Sequence, residues 1–255
     1  MNRINNLFTK KKKNILSIYF TPGYPCINST KEIIKTLDEC GVDMIEVGIP
    51  FSDPIADGSV IQESNNFAIE NGMNISLLFK QLSNIRKLTN IPIILMGYIN
   101  PVYQFGYQNF IDQLVNCGID GVILPDLPLD DYILSFKQSF DKHNLSYISL
   151  ICPNTSVKRI NKIDNISKGF IYVVSSSSIT GKKSSFCDDQ IEYFNRINGL
   201  KLINPTLIGF GISDKKTFDN ACKYSNGAII GTKFIKSVSK NNIKESVKNY
   251  ISSIR

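Results

Sequence analysis

A single histidine, His143, is the whole imidazole content of this chain, and its six cysteines include no Cys-x-x-Cys pair. A zinc centre draws on clustered histidine, cysteine or carboxylate ligands, so no metal is expected. Cys26, Cys40, Cys117, Cys152, Cys187 and Cys222 are scattered and read as free thiols that mostly fill the core. No apolar run approaches the roughly 20 residues that a membrane span requires. The charges at Lys10 to Lys13 are followed by no apolar segment of signal-peptide length, so the chain is expected to be cytoplasmic. Also missing is a basic stripe interleaved with aromatics. The net charge of +7 is spread along the chain, and a solvated surface accounts for it better than nucleic-acid binding does.

What is present is a regular alternation. Near-continuous apolar runs, as in parallel strands covered on both faces, occur at Ile15–Tyr19, Met44–Val47, Ile93–Met96, Gly121–Leu124, Tyr147–Ile151, Phe170–Val174, Leu207–Ile208 and Ala228–Ile230. Between them lie stretches with apolar positions at helical spacing, such as Thr30–Cys40, Phe110–Cys117, Tyr132–His143 and Thr217–Tyr224. Cys40-Gly41-Val42-Asp43 and Cys117-Gly118-Ile119-Asp120 look like two copies of one device, a left-handed glycine that ends a helix before a strand. Eight such units in 255 residues, with no linker rich in proline or serine, predict a single α/β domain over residues 1–255, a (β/α)8 TIM barrel. An open doubly wound sheet usually carries Gly-x-Gly-x-x-Gly after its first strand, where this chain has Thr21-Pro22-Gly23-Tyr24-Pro25. Ile4, Leu7 and Phe8 predict a short N-terminal helix that caps the bottom of the barrel.

Barrel chemistry gathers at the C-terminal ends of the strands. The second strand's exit carries two acids. Glu46 lies inside an apolar strand, where a carboxylate is costly without a partner or a function. Desolvation there would raise its pKa and keep a proton available for general-acid work. Asp57 follows in a loop broken by Pro50, Pro54 and Gly58, which can fold back towards Glu46. The plain alternative is a salt-bridged strand glutamate and a turn aspartate. A second cluster follows the last three strands: Ser175 to Gly181, including Thr180, then Gly209-Phe210-Gly211-Ile212-Ser213, then Gly231-Thr232-Lys233. Glycines there let backbone N–H groups approach an anion, and barrels commonly bind phosphate at this corner. Tight turns would explain the same glycines. Asp126 either faces the mouth or fixes a turn, and His143 ends a helix on the opposite side. No apolar run contains a lysine, which argues against Schiff-base aldolase chemistry.

The stretch Ile45-Glu46-Val47-Gly48-Ile49-Pro50-Phe51-Ser52-Asp53-Pro54-Ile55-Ala56-Asp57-Gly58 closely resembles the tryptophan synthase alpha family. Thr21 to Pro25, Met96 to Asn100, Asp126 to Pro128, Ile151 to Pro153, Ile179 to Gly181 and Gly209 to Ile212 match in order along the chain. Ser59, Ser176, Ser178 and Asn154 depart from residues common in that family. The resemblance implies cleavage of indole-3-glycerol phosphate to indole and glyceraldehyde 3-phosphate, with Glu46 as acid/base and Asp57 as its partner. It also implies an apolar indole wall from Tyr19, Met96 and Ile151, with Tyr172 close to the acid. The phosphate ester would lie against Thr180, Gly181, Gly209, Phe210, Gly211, Gly231 and Thr232. No cofactor is implied for this chain, pyridoxal phosphate belonging to a beta partner in an alpha2beta2 heterotetramer. Loops Phe51–Gly58, with Asp53 and Pro54, and Ser178–Ser185 would close over substrate and face that partner. Two alternatives stay open: another phosphate-binding barrel enzyme, and a catalytically weakened alpha subunit whose main task is to activate the beta chain.

Overall fold

The computed structural model describes residues 2–175 and 186–255. Its strands are β1 (Ile15–Phe20), β2 (Met44–Gly48), β3 (Ile93–Met96), β4 (Gly121–Ile123), β5 (Ser146–Tyr147), β6 (Leu150–Ile151), β7 (Ile171–Val174), β8 (Thr206–Gly209) and β9 (Gly227–Ile230). All their pairings are parallel, in the order β5-β4-β3-β2-β1-β9-β8-β7-β6. β5 and β6 are two pieces of one passage. The Ile148 N–H donates to the Val122 carbonyl on one side, and the Tyr172 N–H to the Ser149 carbonyl on the other. The nine pieces are therefore eight passages closed into a barrel, which agrees with the eight runs of the sequence.

Side chains alternate across each strand, so every passage feeds two cores. Leu16, Ile18, Ile45, Val47, Ile93, Leu95, Val122 and Ile208 face outward and pack under the surrounding helices. Ile15, Met44, Ile94, Ile123, Ile148, Phe170, Leu207 and Ile229 fill the lumen. The helix α1 (Arg3–Lys10) closes the bottom of the lumen with Ile4 and Phe8, which join that inner cluster. Asn2 caps α1 by accepting from the Asn5 N–H. Its amide donates to the carbonyls of Asp120 and Asn144 and to the Ser146 hydroxyl, tying the cap to the barrel floor.

The two repeated devices behave alike. Gly41 (φ +73°) and Gly118 (φ +67°) take the left-handed conformation, and each is followed two residues later by an aspartate doing the same job. Asp43 accepts the Leu16 N–H at the start of β1 and pairs with Lys11 and Arg255. Asp120 accepts the Ile93 N–H at the start of β3 and pairs with Arg3 and Arg86. Each aspartate staples a helix-to-strand turn to its neighbouring strand and leaves its own charge paired. The expected helix Tyr132–His143 is present in two pieces, a π-turn Tyr132–Phe136 running into Lys137–His143. His143 lies at the bottom end, beside Asn2 and Arg3.

Candidate active site at the top of the barrel

Inward positions on β1 and β2 carry Ser17, Tyr19 and Glu46, where the inner faces of the other strands are mostly apolar. Ser17 and Tyr19 face the lumen from β1, and Glu46 faces it from β2, paired in register with Tyr19. Glu46 is wholly buried. Its Oε1 accepts the Ser17 hydroxyl at 2.8 Å, and its Oε2 has no hydrogen-bond partner among the described residues. Burial pushes its carboxyl up to about 8, only partly opposed by the Ser17 hydrogen bond. A glutamate in this state holds its proton at neutral pH.

Asp57 reaches the same end of the barrel from the loop after β2. Burial raises its carboxyl to about 6, with a hydrogen bond from Tyr98 pulling the other way. The Tyr98 hydroxyl donates to Asp57 Oδ2 at 3.2 Å and accepts the Ala56 N–H at 2.9 Å, so one phenol holds two neighbouring loop residues. The loop is further fixed by Gln62, whose amide donates to the Asp57 and Pro54 carbonyls, and by Asn65, bonded to the Phe51 backbone. Both contacts come from the helix α2 (Ser59–Glu70), which starts directly behind the loop.

Two carboxyl groups of different proton affinity thus act on the same two phenols, but they do not touch, and Asp57 lines the cavity at the mouth while Glu46 is buried out of it. Among the described residues no hydrogen bond joins them. Tyr19 and Tyr172 stand within electrostatic reach of both, and each phenol is raised well above its ordinary value by burial first, with the two acids adding to it. Small residues make room for these rings. A Cβ on Gly48 would meet the Tyr19 hydroxyl at 2.6 Å, and one on Gly209 would meet the Tyr172 hydroxyl at 2.1 Å.

A cavity of about 40 Å³ opens at the mouth, lined by Tyr19, Ile49, Asp57, Met96, Leu150 and Phe210 among others. The cavity has room for only a few waters, one needing about 10–15 Å³ of such space. A bicyclic ring enters only if its walls part, and the Pro54–Asp57 segment forms one of those walls. Tyr19, Met96 and Phe210 therefore stand at the mouth. Ile151 does not: strand alternation turns it to the outer core, where Tyr193 bonds its carbonyl, and the preceding Leu150 lines the cavity instead.

The remaining expected residues are distributed as follows. Tyr172 is buried beside Glu46 rather than on the cavity wall. Phe210 (φ +67°) and Gly211 (φ +75°) are successive left-handed residues after β8, with the Ser175 hydroxyl donating to the Phe210 carbonyl at 2.6 Å. Gly231 packs on the Tyr19 ring and precedes a short helix that begins at Thr232. The first N–H groups of any such helix have no partner within it. Asp53 is exposed and Pro54 buried. Asp126 accepts the Ile99 N–H on both oxygens, tying the loop after β4 to the start of the helix Ile99–Phe105. Thr180 and Gly181, with Ser176, Ser178 and the Ser178–Ser185 loop, lie outside the described residues. No group of three or more potential metal ligands occurs among the described residues.

Sequence reasoning missed Ser17, Tyr98 and Leu150. Ser17 did leave a signal, a polar residue at an inward position of an apolar strand, the same anomaly that drew attention to Glu46. Tyr98 left none, because its role depends on a loop whose path the sequence does not state.

The family model described as "Tryptophan synthase alpha chain" matches residues 5–254. A tryptophan synthase alpha chain of Flavobacterium psychrophilum is 52% identical over 254 residues, covering 100% of both chains. One of Parabacteroides distasonis is 54% identical over 235 residues, covering 92% of this chain and 91% of its own. Among solved structures, tryptophan synthase subunit alpha from Legionella pneumophila superposes with a TM-score of 0.89 at 30% identity, covering 100% of this chain and 97% of its own. The matches run from the first helix to the last, and this chain belongs to the tryptophan synthase alpha chain family.

Proposed function

We propose that Glu46 and Asp57 carry out a retro-aldol cleavage of indole-3-glycerol phosphate at the mouth of this barrel. The reaction itself follows from the family; the assignment of its steps to residues is our reading. The Glu46 proton goes to ring carbon C3, which leaves the indole as a cation. The conjugate carboxylate then takes the proton of the hydroxyl on the adjoining side-chain carbon. The C3–C bond breaks, its electrons return to the ring, and indole and glyceraldehyde 3-phosphate separate. Ionised Asp57 accepts the indole N–H and opposes the positive charge as it develops, a preorganised electrostatic effect.

The observation that carries this reading is the state of Glu46. A fully buried carboxyl pushed up to about 8 has a proton to give at neutral pH, and its conjugate base is strong enough to take one back. Asp57, lower at about 6, is ionised under the same conditions. The separation of the two values assigns acid and counter-ion. Tyr19, Met96, Leu150 and Phe210 would flank the indole. Backbone groups at Gly211, Gly231 and Thr232, with Thr180, Gly181 and Gly209, would meet the phosphate.

Every step is acid–base chemistry at the protein's own side chains, and pyridoxal phosphate is assigned to the beta partner. The partner is the beta chain, in an alpha2beta2 assembly. The Phe51–Gly58 loop, with exposed Asp53 and Ile55, supports a contact there. None of the described helices is long and apolar enough to cross a membrane; our assignment of the chain to the cytoplasm rests on its family. The test is product analysis. Indole and glyceraldehyde 3-phosphate should appear in equal amounts from indole-3-glycerol phosphate; a chain that only stimulates the beta reaction would release neither.

A further inference from the structure

We propose that Ser17 is a positioning residue that grips Glu46 by Oε1 and so makes Oε2 the oxygen that carries and transfers the proton. This inference rests on the reading of Glu46 as the acid/base.

Ser17 faces the lumen from β1, two residues before the Tyr19 that pairs with Glu46. Both side chains are wholly buried, so neither competes with bulk water for the 2.8 Å contact. Among the described residues the Ser17 hydroxyl has no other acceptor and Glu46 Oε2 has no partner. Two proton arrangements are conceivable for the neutral acid. With the proton on Oε1, donated to Ser17, the serine's own O–H is left without an acceptor, Oε2 is left without a donor, and the bond must be remade once the proton leaves. With the proton on Oε2, the serine donates to Oε1 and the one unpaired donor is Oε2–H itself, the group that has a proton to transfer. The second arrangement leaves Oε2–H as the group available to a reacting carbon. The carboxyl also keeps the serine bond after the proton leaves, so its orientation survives the transfer.

Few other groups can do this work. The groups that face Glu46 are the phenols of Tyr19 on β1 and Tyr172 on β7, with Asp57 beyond them. The inward residues Ile94, Ile123, Ile148, Leu207 and Ile229 are apolar, and no described cation faces the lumen there. Among the described residues Ser17 is the one hydrogen-bond donor set against the desolvation of Glu46.

The test is the titration of Glu46 followed by carbon NMR of its carboxyl in the full chain, with no turnover needed. In Ser17→Ala the titration should rise by about one unit, the size expected for losing a hydrogen bond to a charged group. The alkaline limb of the kcat profile should move up with it. Ser17→Thr, which keeps the hydroxyl, should restore both. Should the alanine variant lose its fold, Ser17→Cys keeps the volume with a weaker donor and should shift in the same direction. A Glu46 that titrates in a folded alanine or cysteine variant where it does in the wild type, or a threonine variant that matches the alanine one, overturns the proposal. The assignment of Glu46 fails by a different result, persistence of cleavage in Glu46→Gln, so the two cannot be confused.

Discussion

Replacing Glu46 by glutamine should stabilise the fold, and by an amount that depends on pH. The carboxyl rises from an ordinary 4.5 to about 8 on folding, because burial disfavours its charged form. A carboxyl raised in the folded state costs nothing below its unfolded value; the cost grows as pH climbs from there and levels off above the folded value. The gap of roughly 3.5 units corresponds to about 5 kcal/mol at 1.36 kcal/mol per unit. Water and side-chain adjustment around the charged form reduce that to about 3–5 kcal/mol at pH 9. Glutamine matches the neutral acid in shape and never ionises. The variant should therefore melt close to wild type at pH 5. It should melt about 6–20 °C higher at pH 9, taking about 2–4 °C per kcal/mol for a chain of this size. Thermal melts by circular dichroism across that range read the effect directly. A constant offset between the two proteins at every pH would refute the reasoning, since it would mean that Glu46 titrates alike in the folded and unfolded chains.

Asp57→Asn should lower the rate of indole formation by about 10²–10³, the range for loss of one preorganised electrostatic contact. A trace should remain because the amide oxygen still accepts a hydrogen bond; near-wild-type turnover would count against the counter-ion role. Cleavage by the wild type should fall as pH drops through about 6, where Asp57 gains its proton. Tyr98→Phe removes the hydrogen bond that holds Asp57 down, so the acid limb of the rate profile should move to higher pH; an unmoved limb would separate Tyr98 from the site. Asp120→Ala strands Arg3, Arg86 and the Ile93 N–H at the barrel floor. It should cost about 3–5 kcal/mol, seen in urea unfolding, while leaving cleavage by the folded fraction intact.

Much of the architecture was legible because barrel strands are covered on both faces. Apolar runs such as Ile93–Met96 and Phe170–Val174 admit few other readings, and the Gly41 and Gly118 devices mark where helices stop. The fifth passage was read as one strand, Tyr147–Ile151, and forms two pieces joined through Ile148 and Ser149. Glu46 declared itself by its cost in an apolar strand. Ile151 misled because an unbroken apolar run does not say which residue faces inward; register does, and register is set by neighbouring strands. Tyr98 was out of reach for a related reason. Its partnership with Asp57 spans 41 residues and depends on how the loop after β2 is pinned by Gln62 and Asn65.

The most direct test of the account is indole release from indole-3-glycerol phosphate by Glu46→Gln, measured alone and with the beta chain. A glutamine in that position cannot give up and recover a proton, so cleavage should fall by at least about 10²–10⁴ in both settings, with binding to the beta chain unchanged. Turnover within about tenfold of wild type would contradict the account, because the proton would then have to come from somewhere else.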